Sequence, residues 1–199
     1  MSAADALDRL RRLGSVFRAK DAVAAGVSWR DLYRLRDRGE LLELSRGLYQ
    51  LAATSGGAHV DFVAVCARAP QGMICLNSAL SYWDLSDEIP AAVHVAVPEG
   101  SHRPTIKYPP TTVHVFRAKT FNLGRLQVDG DRGERFWISD RERTLVDAYR
   151  LRYRIGEDLA HAALREYLRS SRHLARLAEF AQILRVWTPL SAALKVLTE

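Results

Sequence analysis

The run KDAVAAGVSWRDLYRLRDRGELLELSRGLYQL, Lys20 to Leu51, decides the fold of the N-terminal part of this 199-residue chain. An alanine-rich helix, Arg18 to Ala25, stops at Gly26. Ser28 then offers a hydroxyl to cap the next helix, which runs to Arg38 and is stopped by Gly39. Two strand-like runs follow, Leu41 to Leu44 and Leu48 to Leu51, with Ser45-Arg46-Gly47 as a tight turn between them. Upstream, Ala6, Leu7, Leu10 and Leu13 recur at helical spacing, so a first helix spans Ala4 to Leu13 and ends at Gly14. Three short helices and then a hairpin is the order of a winged helix-turn-helix.

The third helix separates into two faces when its side chains are placed roughly 100° apart. Ser28, Leu32 and Leu35 fall on the inner side. Arg30, Tyr33, Arg34 and Asp37 share the outer side, with Trp29 and Arg38 at its margins. A basic and aromatic outer face suits a helix that enters the major groove, where arginine makes bidentate bonds to guanine and its neighbours hold phosphates. Arg46 stands at the hairpin tip, where it would meet the DNA backbone or minor groove, and Arg18 and Lys20 stand at the start of the second helix, where phosphate contacts are natural. The plain alternative is a solvated amphipathic helix. Against it, Trp29 and Tyr33 lie outside the leucine face, and the helix is third in a trihelical unit followed by a hairpin.

Outward from this region the organisation changes. Thr54-Ser55-Gly56-Gly57 is small and polar and reads as a linker, which divides the chain into a winged helix-turn-helix over 1–53 and a mixed α/β domain over 58–199. In the second part, helices are expected at His59–Arg68 and Leu76–Leu85, and strands at Val93–Val97, Val113–Phe116, Leu126–Val128 and Glu134–Ile138. Four helical segments close the chain: Asp140–Leu151, Glu157–Leu168, Arg172–Leu184 and Leu190–Leu197. The fold class is α+β with a helical C-terminal tail. Ser139 is the expected N-cap of the first of those segments, with Glu142 completing a capping box.

Hydrophobic residues make up 48% and charged residues 26%, a composition that excludes a disordered or fibrous chain. No apolar run approaches the roughly 20 residues of a membrane span, and the acidic Asp5 and Asp8 do not suit a targeting peptide, so a cytoplasmic protein is expected. Cys66 and Cys75 sit in apolar company and read as buried thiols. The net charge of +6 is unevenly spread: positive over 1–50, negative over 51–100, and most positive over 101–154. Such segregation points to a polyanionic partner. Within the last block, Arg141, Arg143, Arg150 and Arg154 recur on one helix and are expected to add a second, sequence-blind phosphate surface.

The same N-terminal run resembles the first domain of AbiEi-type antitoxins, whose pattern is an alanine-rich helix, a Gly-Val-Ser turn, a recognition helix and a Gly-x-Tyr hairpin, here Gly47-Leu48-Tyr49. The resemblance continues in LNSALSYWDL, HVAVPEG and SDRERTLVDAYR. It implies a DNA-binding antitoxin that represses its own operon through the winged helix and counters a nucleotidyltransferase toxin through the second domain. The implied partners are double-stranded operator DNA and that toxin, and no membrane; carried over by position, the DNA contacts fall on Arg18, Lys20, Ser28, Trp29, Arg30, Tyr33, Arg34, Arg38 and Arg46.

Catalysis is not expected. Asp129, Asp131 and Glu134, followed by Asp140 and Glu142, form the densest acidic cluster, and VDGDRGERF with DRER faintly resembles elements of a Vsr-like endonuclease. A DNA-directed endonuclease is therefore one alternative, and an interaction adaptor that no longer binds DNA is another. A nuclease also needs carboxylates converging on a divalent cation, and here no histidine follows Asp129-Gly130 closely and no Glu-x-Lys is present. His59, His94, His102, His114, His161 and His173 show no metal-ligand spacing, and His94 and His114 alternate with valines as one face of a sheet would. No cofactor or metal is expected.

Overall fold

The computed structural model describes residues 2–55, 57–129, 135–170 and 173–198. The chain divides into two compact units, one of Met1–Pro70, Pro104–Pro110 and Gln127–Phe136, the other of Gln71–Arg103, Thr111–Leu126 and Trp137–Glu199. This division does not follow the expected linker. Residues Ala52–Thr54 form a 3-10 turn, Gly56 lies outside the described residues, and the helix beyond it remains with the first unit. The chain also returns to the first unit twice, so residues 58–199 are not one unit of the fold.

The first unit runs α1 (Ala3–Arg11), β1 (Val16–Arg18), α2 (Ala19–Ala24), α3 (Trp29–Asp37), β2 (Leu41–Ser45), β3 (Leu48–Leu51) and α4 (Val60–Arg68). Its sheet is antiparallel with order β1-β3-β2. Ser2 and Asp5 cap α1 reciprocally, each bonding the other's backbone N–H. The core is the apolar stripe of each helix laid on the sheet: Leu10, Ala22, Leu32 and Leu35 meet Phe17, Leu41, Tyr49 and Leu51, all buried. β1 was not foreseen. It is three residues long and pairs with β3 some thirty residues away, Phe17 opposite Tyr49, so nothing local marks it. In the same unit Phe136, 1% exposed, packs edge-on against Phe62 of α4 at 5.5 Å and beside His59.

The other sheet has five strands in the order β6-β5-β4-β8-β7, drawn from the second unit except for Gln127–Asp129 of β7 and Arg135–Phe136 of β8, which fall in the first. Its strands are β4 (Met73–Ile74), β5 (Val93–Pro98), β6 (Thr111–Phe116), β7 (Arg125–Asp129) and β8 (Arg135–Ser139), with α5 (Leu76–Tyr82) following β4. β4 is only two residues long yet central, antiparallel to β5 and parallel to β8 through Ile74 and Ile138. β5 and β6 are parallel. Then come α6 (Arg141–Arg150), α7 (Arg152–Ile155), α8 (Glu157–Ser170), α9 (Leu174–Ile183) and α10 (Trp187–Thr198). The expected start of α9 at Arg172 lies outside the described residues, as does Glu134 at the expected start of β8.

Helix α6 is the axis of this unit, with every residue from Glu142 to Tyr149 buried. Its N-cap is Asp140 rather than Ser139: the Asp140 carboxylate accepts from the Arg143 N–H at 2.8 Å. Ser139 closes β8, and its hydroxyl shares a hydrogen bond with Thr144 at 2.7 Å. Glu142 does not complete a capping box. It accepts a hydrogen bond from the Tyr167 hydroxyl at 2.9 Å. Cys66 and Cys75 are buried free thiols, as expected. Among the described residues no helix is long and apolar enough to cross a membrane.

Candidate nucleic-acid interface

Helix α3 is built to hold one face out. Leu32 and Leu35 anchor it in the core. The Ser28 hydroxyl accepts from the Asp31 N–H at 3.2 Å and donates to the Asp31 carboxylate at 2.7 Å, and Arg34 closes on the same carboxylate at 2.7 Å. The Ser28 hydroxyl, and behind it the Arg34 guanidinium, hold the Asp31 carboxyl below its usual range. At the other end Arg36 stacks 4.9 Å over the Tyr33 ring and reaches Asp37 at 2.9 Å and Glu43 of β2 at 3.3 Å. Glu43 in turn accepts from the Gly47 N–H at 3.3 Å, which ties the hairpin tip to α3.

This network separates the expected contact residues into two groups. Ser28 and Arg34 are committed to Asp31, and Arg18 is held by Asp21 through two hydrogen bonds of 2.7 and 3.1 Å. Lys20, Arg30, Arg38 and Arg46 are exposed and in no ion pair among the described residues. Trp29 and Tyr33 are 49% and 45% exposed, with ring centroids 6.0 Å apart. The outer face of α3 therefore presents two unpaired guanidiniums beside two aromatic rings, with Arg46 at the tip of the neighbouring hairpin. Ser28 caps α3 as its hydroxyl predicts, but it is exposed rather than on the inner side with Leu32 and Leu35.

Two supporting residues had not been singled out. Arg36 lies one helical turn beyond Tyr33, a spacing from which its stacking could have been inferred. Arg68 of α4 donates to the Ser45 hydroxyl at 2.8 Å and the Arg46 carbonyl at 2.7 Å, bracing the hairpin tip from 22 residues away. No local signal announces that contact.

The second expected phosphate surface does not form as one face. Arg143 is wholly buried, paired with Asp147 at 2.7 Å and donating to the carbonyls of Thr120 and Leu123 at 2.8 and 2.6 Å. It sits inside because the residues of α6 from Glu142 to Tyr149 are all buried, so it offers no guanidinium at the surface. Arg150 shares Asp147 at 2.8 Å and lies 4.6 Å over the Phe116 ring. Arg141 donates to the Ser170 hydroxyl. Of the four, Arg154 alone is exposed.

Of the acidic cluster, Asp131 and Glu134 lie outside the described residues. Asp129 is exposed and paired with Arg135 at 2.8 Å, while Asp140 and Glu142 are engaged by Arg176. Among the described residues no three histidine, cysteine or acidic side chains are grouped to hold a metal ion. His94 and His114 do share one face of the β5–β6 pair, with ring nitrogens 3.2 Å apart. Burial, then the neighbouring His94, Arg154 and Arg103, push His114 down to about 4.

No curated protein matches the chain. Residues 5–52, which run from within α1 to just past β3 and hold the whole of the α3 and hairpin face described above, match the model of a family described as transcriptional regulator, AbiEi antitoxin.

Proposed function

We propose that this protein is a cytoplasmic DNA-binding antitoxin that represses its own operon through a winged helix-turn-helix and counters a nucleotidyltransferase toxin through its second unit. The observation that carries the DNA arm is the outer face of α3, where exposed, unpaired Arg30 and Arg38 flank Trp29 and Tyr33. Arginines left without carboxylate partners on a capped, well-anchored helix are placed to make base and phosphate contacts at little desolvation cost. In this reading the β2–β3 hairpin is the wing and Arg46 its phosphate contact. The order β1-β3-β2 behind three helices supports it.

The toxin arm rests on the family resemblance alone, and catalysis has no part in this reading. The test is a titration of the full-length chain on duplexes from its own upstream region and on random duplexes at fixed salt, together with co-expression with any nucleotidyltransferase encoded beside it. Preference for the upstream duplex and rescue of growth support both arms. Equal affinity for all duplexes overturns operator recognition, and failure to rescue overturns the antitoxin role. Arg46→Ala should weaken binding to every duplex alike and flatten the dependence of log K on log salt by about 0.9.

A further inference from the structure

Within the second unit α6, α7, α8 and α10 line a cleft of about 480 Å³ that opens to solvent. One wall is apolar, made by Pro189, Ala193, Val196 and Leu197 of α10, and Val196 is 75% exposed. The opposite wall is polar, made by Tyr149, Arg152, His161 and Arg165. A volume of this size lies in the range that small organic ligands occupy, and a greasy wall facing a few polar groups is the usual composition of such a site.

Tyr149 points to the ligand. It is 1% exposed, its ring lies 5.8 Å from that of His161, and its hydroxyl has no hydrogen-bond partner. A buried donor left unmade is costly, so a hydroxyl in this position calls for an acceptor. Burial raises its pKa far above the usual phenol value, so it keeps its proton and can donate. The charges beside it are Arg152, Glu157 and Arg165. Arg152 and Glu157 pair at 3.2 Å, whereas Arg165 is in no ion pair among the described residues. One positive charge is therefore left over at the polar wall. That balance suits a monoanion, and with Glu157 present it disfavours a doubly charged phosphate.

We propose that this cleft binds a small organic carboxylate with an aliphatic or aromatic body, its head facing Arg165 and reaching the Tyr149 hydroxyl through a small shift of the side chains that cover it, its body against α10. The proposal is independent of the DNA and toxin arms. It is tested by titration calorimetry on the full-length chain with phenylbutyrate and decanoate, and with phenylbutanol as the uncharged analogue. The expected result is saturable one-to-one binding of at least one acid and much weaker binding of the alcohol. Tyr149→Phe and Arg165→Gln should each weaken binding of that acid about tenfold or more. The unliganded Tyr149→Phe protein should melt no lower than the wild type, because an unpartnered hydroxyl has been removed. Failure of both acids to bind, binding of the alcohol as tight as that of the acid, or a Tyr149→Phe variant that binds like the wild type would each overturn the proposal.

Discussion

Helices α3 and α6 carry arginine at nearly the same density, three in nine residues and three in ten, and use it in opposite ways. On α3, Arg34 and Arg36 are spent on holding the helix and hairpin together, which leaves Arg30 free at the surface with Arg38 just past the helix end. On α6, Arg143 is drawn wholly inside, where it pairs with Asp147 and donates to two backbone carbonyls, and Arg150 leans on the same carboxylate. The difference lies in what surrounds each helix. α3 buries one stripe and faces solvent with the rest, whereas α6 is buried from Glu142 to Tyr149. An arginine-rich amphipathic pattern is therefore no evidence of a nucleic-acid surface until the packing on its polar face is known.

The comparison breaks most visibly at Arg143. Arg143→Ala leaves Asp147 in the interior with one partner fewer, and loss of one member of a buried pair should destabilise the protein by about 3–5 kcal/mol. Urea unfolding measures this, and a change below about 1 kcal/mol would mean that the interior is wetter than α6 implies.

His114 offers a second test of how far the second unit excludes charge. Its folded pKa of about 4 lies below the ordinary 6.5, so between those values the unfolded chain binds more protons than the native one. Its contribution to stability is complete above pH 6.5 and is lost as pH falls toward 4, with a full size of about 3 kcal/mol. His114→Gln should flatten that slope. An unchanged slope would place the acid sensitivity elsewhere.

On α3 the effects should be smaller in stability and larger in binding. Arg30→Ala should cost about 1–3 kcal/mol in affinity for the upstream duplex and much less on random DNA, with the unfolding midpoint unmoved. Equal losses on both duplexes would make Arg30 a phosphate contact. The smallest effect is at the cap: Ser28→Ala should lower stability by about 1 kcal/mol through loss of the bond from the Asp31 N–H, and denaturant titration resolves a change of that size.

Much of the first unit was legible because its signals are local. Ser28 before Trp29, Gly26 and Gly39 at helix ends, and the leucine spacing of α3 each act within a turn or two of helix. Gly26, Gly39 and Gly47 all take φ near +70 to +80°, where other residues are strained, so their positions could be read as turns from the sequence. The exposed pair Trp29 and Tyr33 followed from the same helical phase. The parts that were missed depend on distant partners. β1 exists because Phe17 meets Tyr49, and β4 because Ile74 lies between Val95 and Ile138. The N-cap of α6 moved by one residue because Asp140 can reach the Arg143 N–H while Ser139 is needed against Thr144.

The sequence by itself determined the N-terminal helices and hairpin, the face that α3 turns outward and the burial of both cysteines, since helical phase and chain turns are short-range properties of the residues themselves. The tertiary structure alone decided which arginines are free. A guanidinium is exposed or spent according to whether a carboxylate or carbonyl arrives beside it, and for Arg143 those groups come from Asp147 one turn ahead and from Thr120 and Leu123 some twenty residues back. It also decided the division of the chain, because α4 joins the first unit through contacts such as Arg68 with Ser45 that no property of the Thr54–Gly57 stretch foretells.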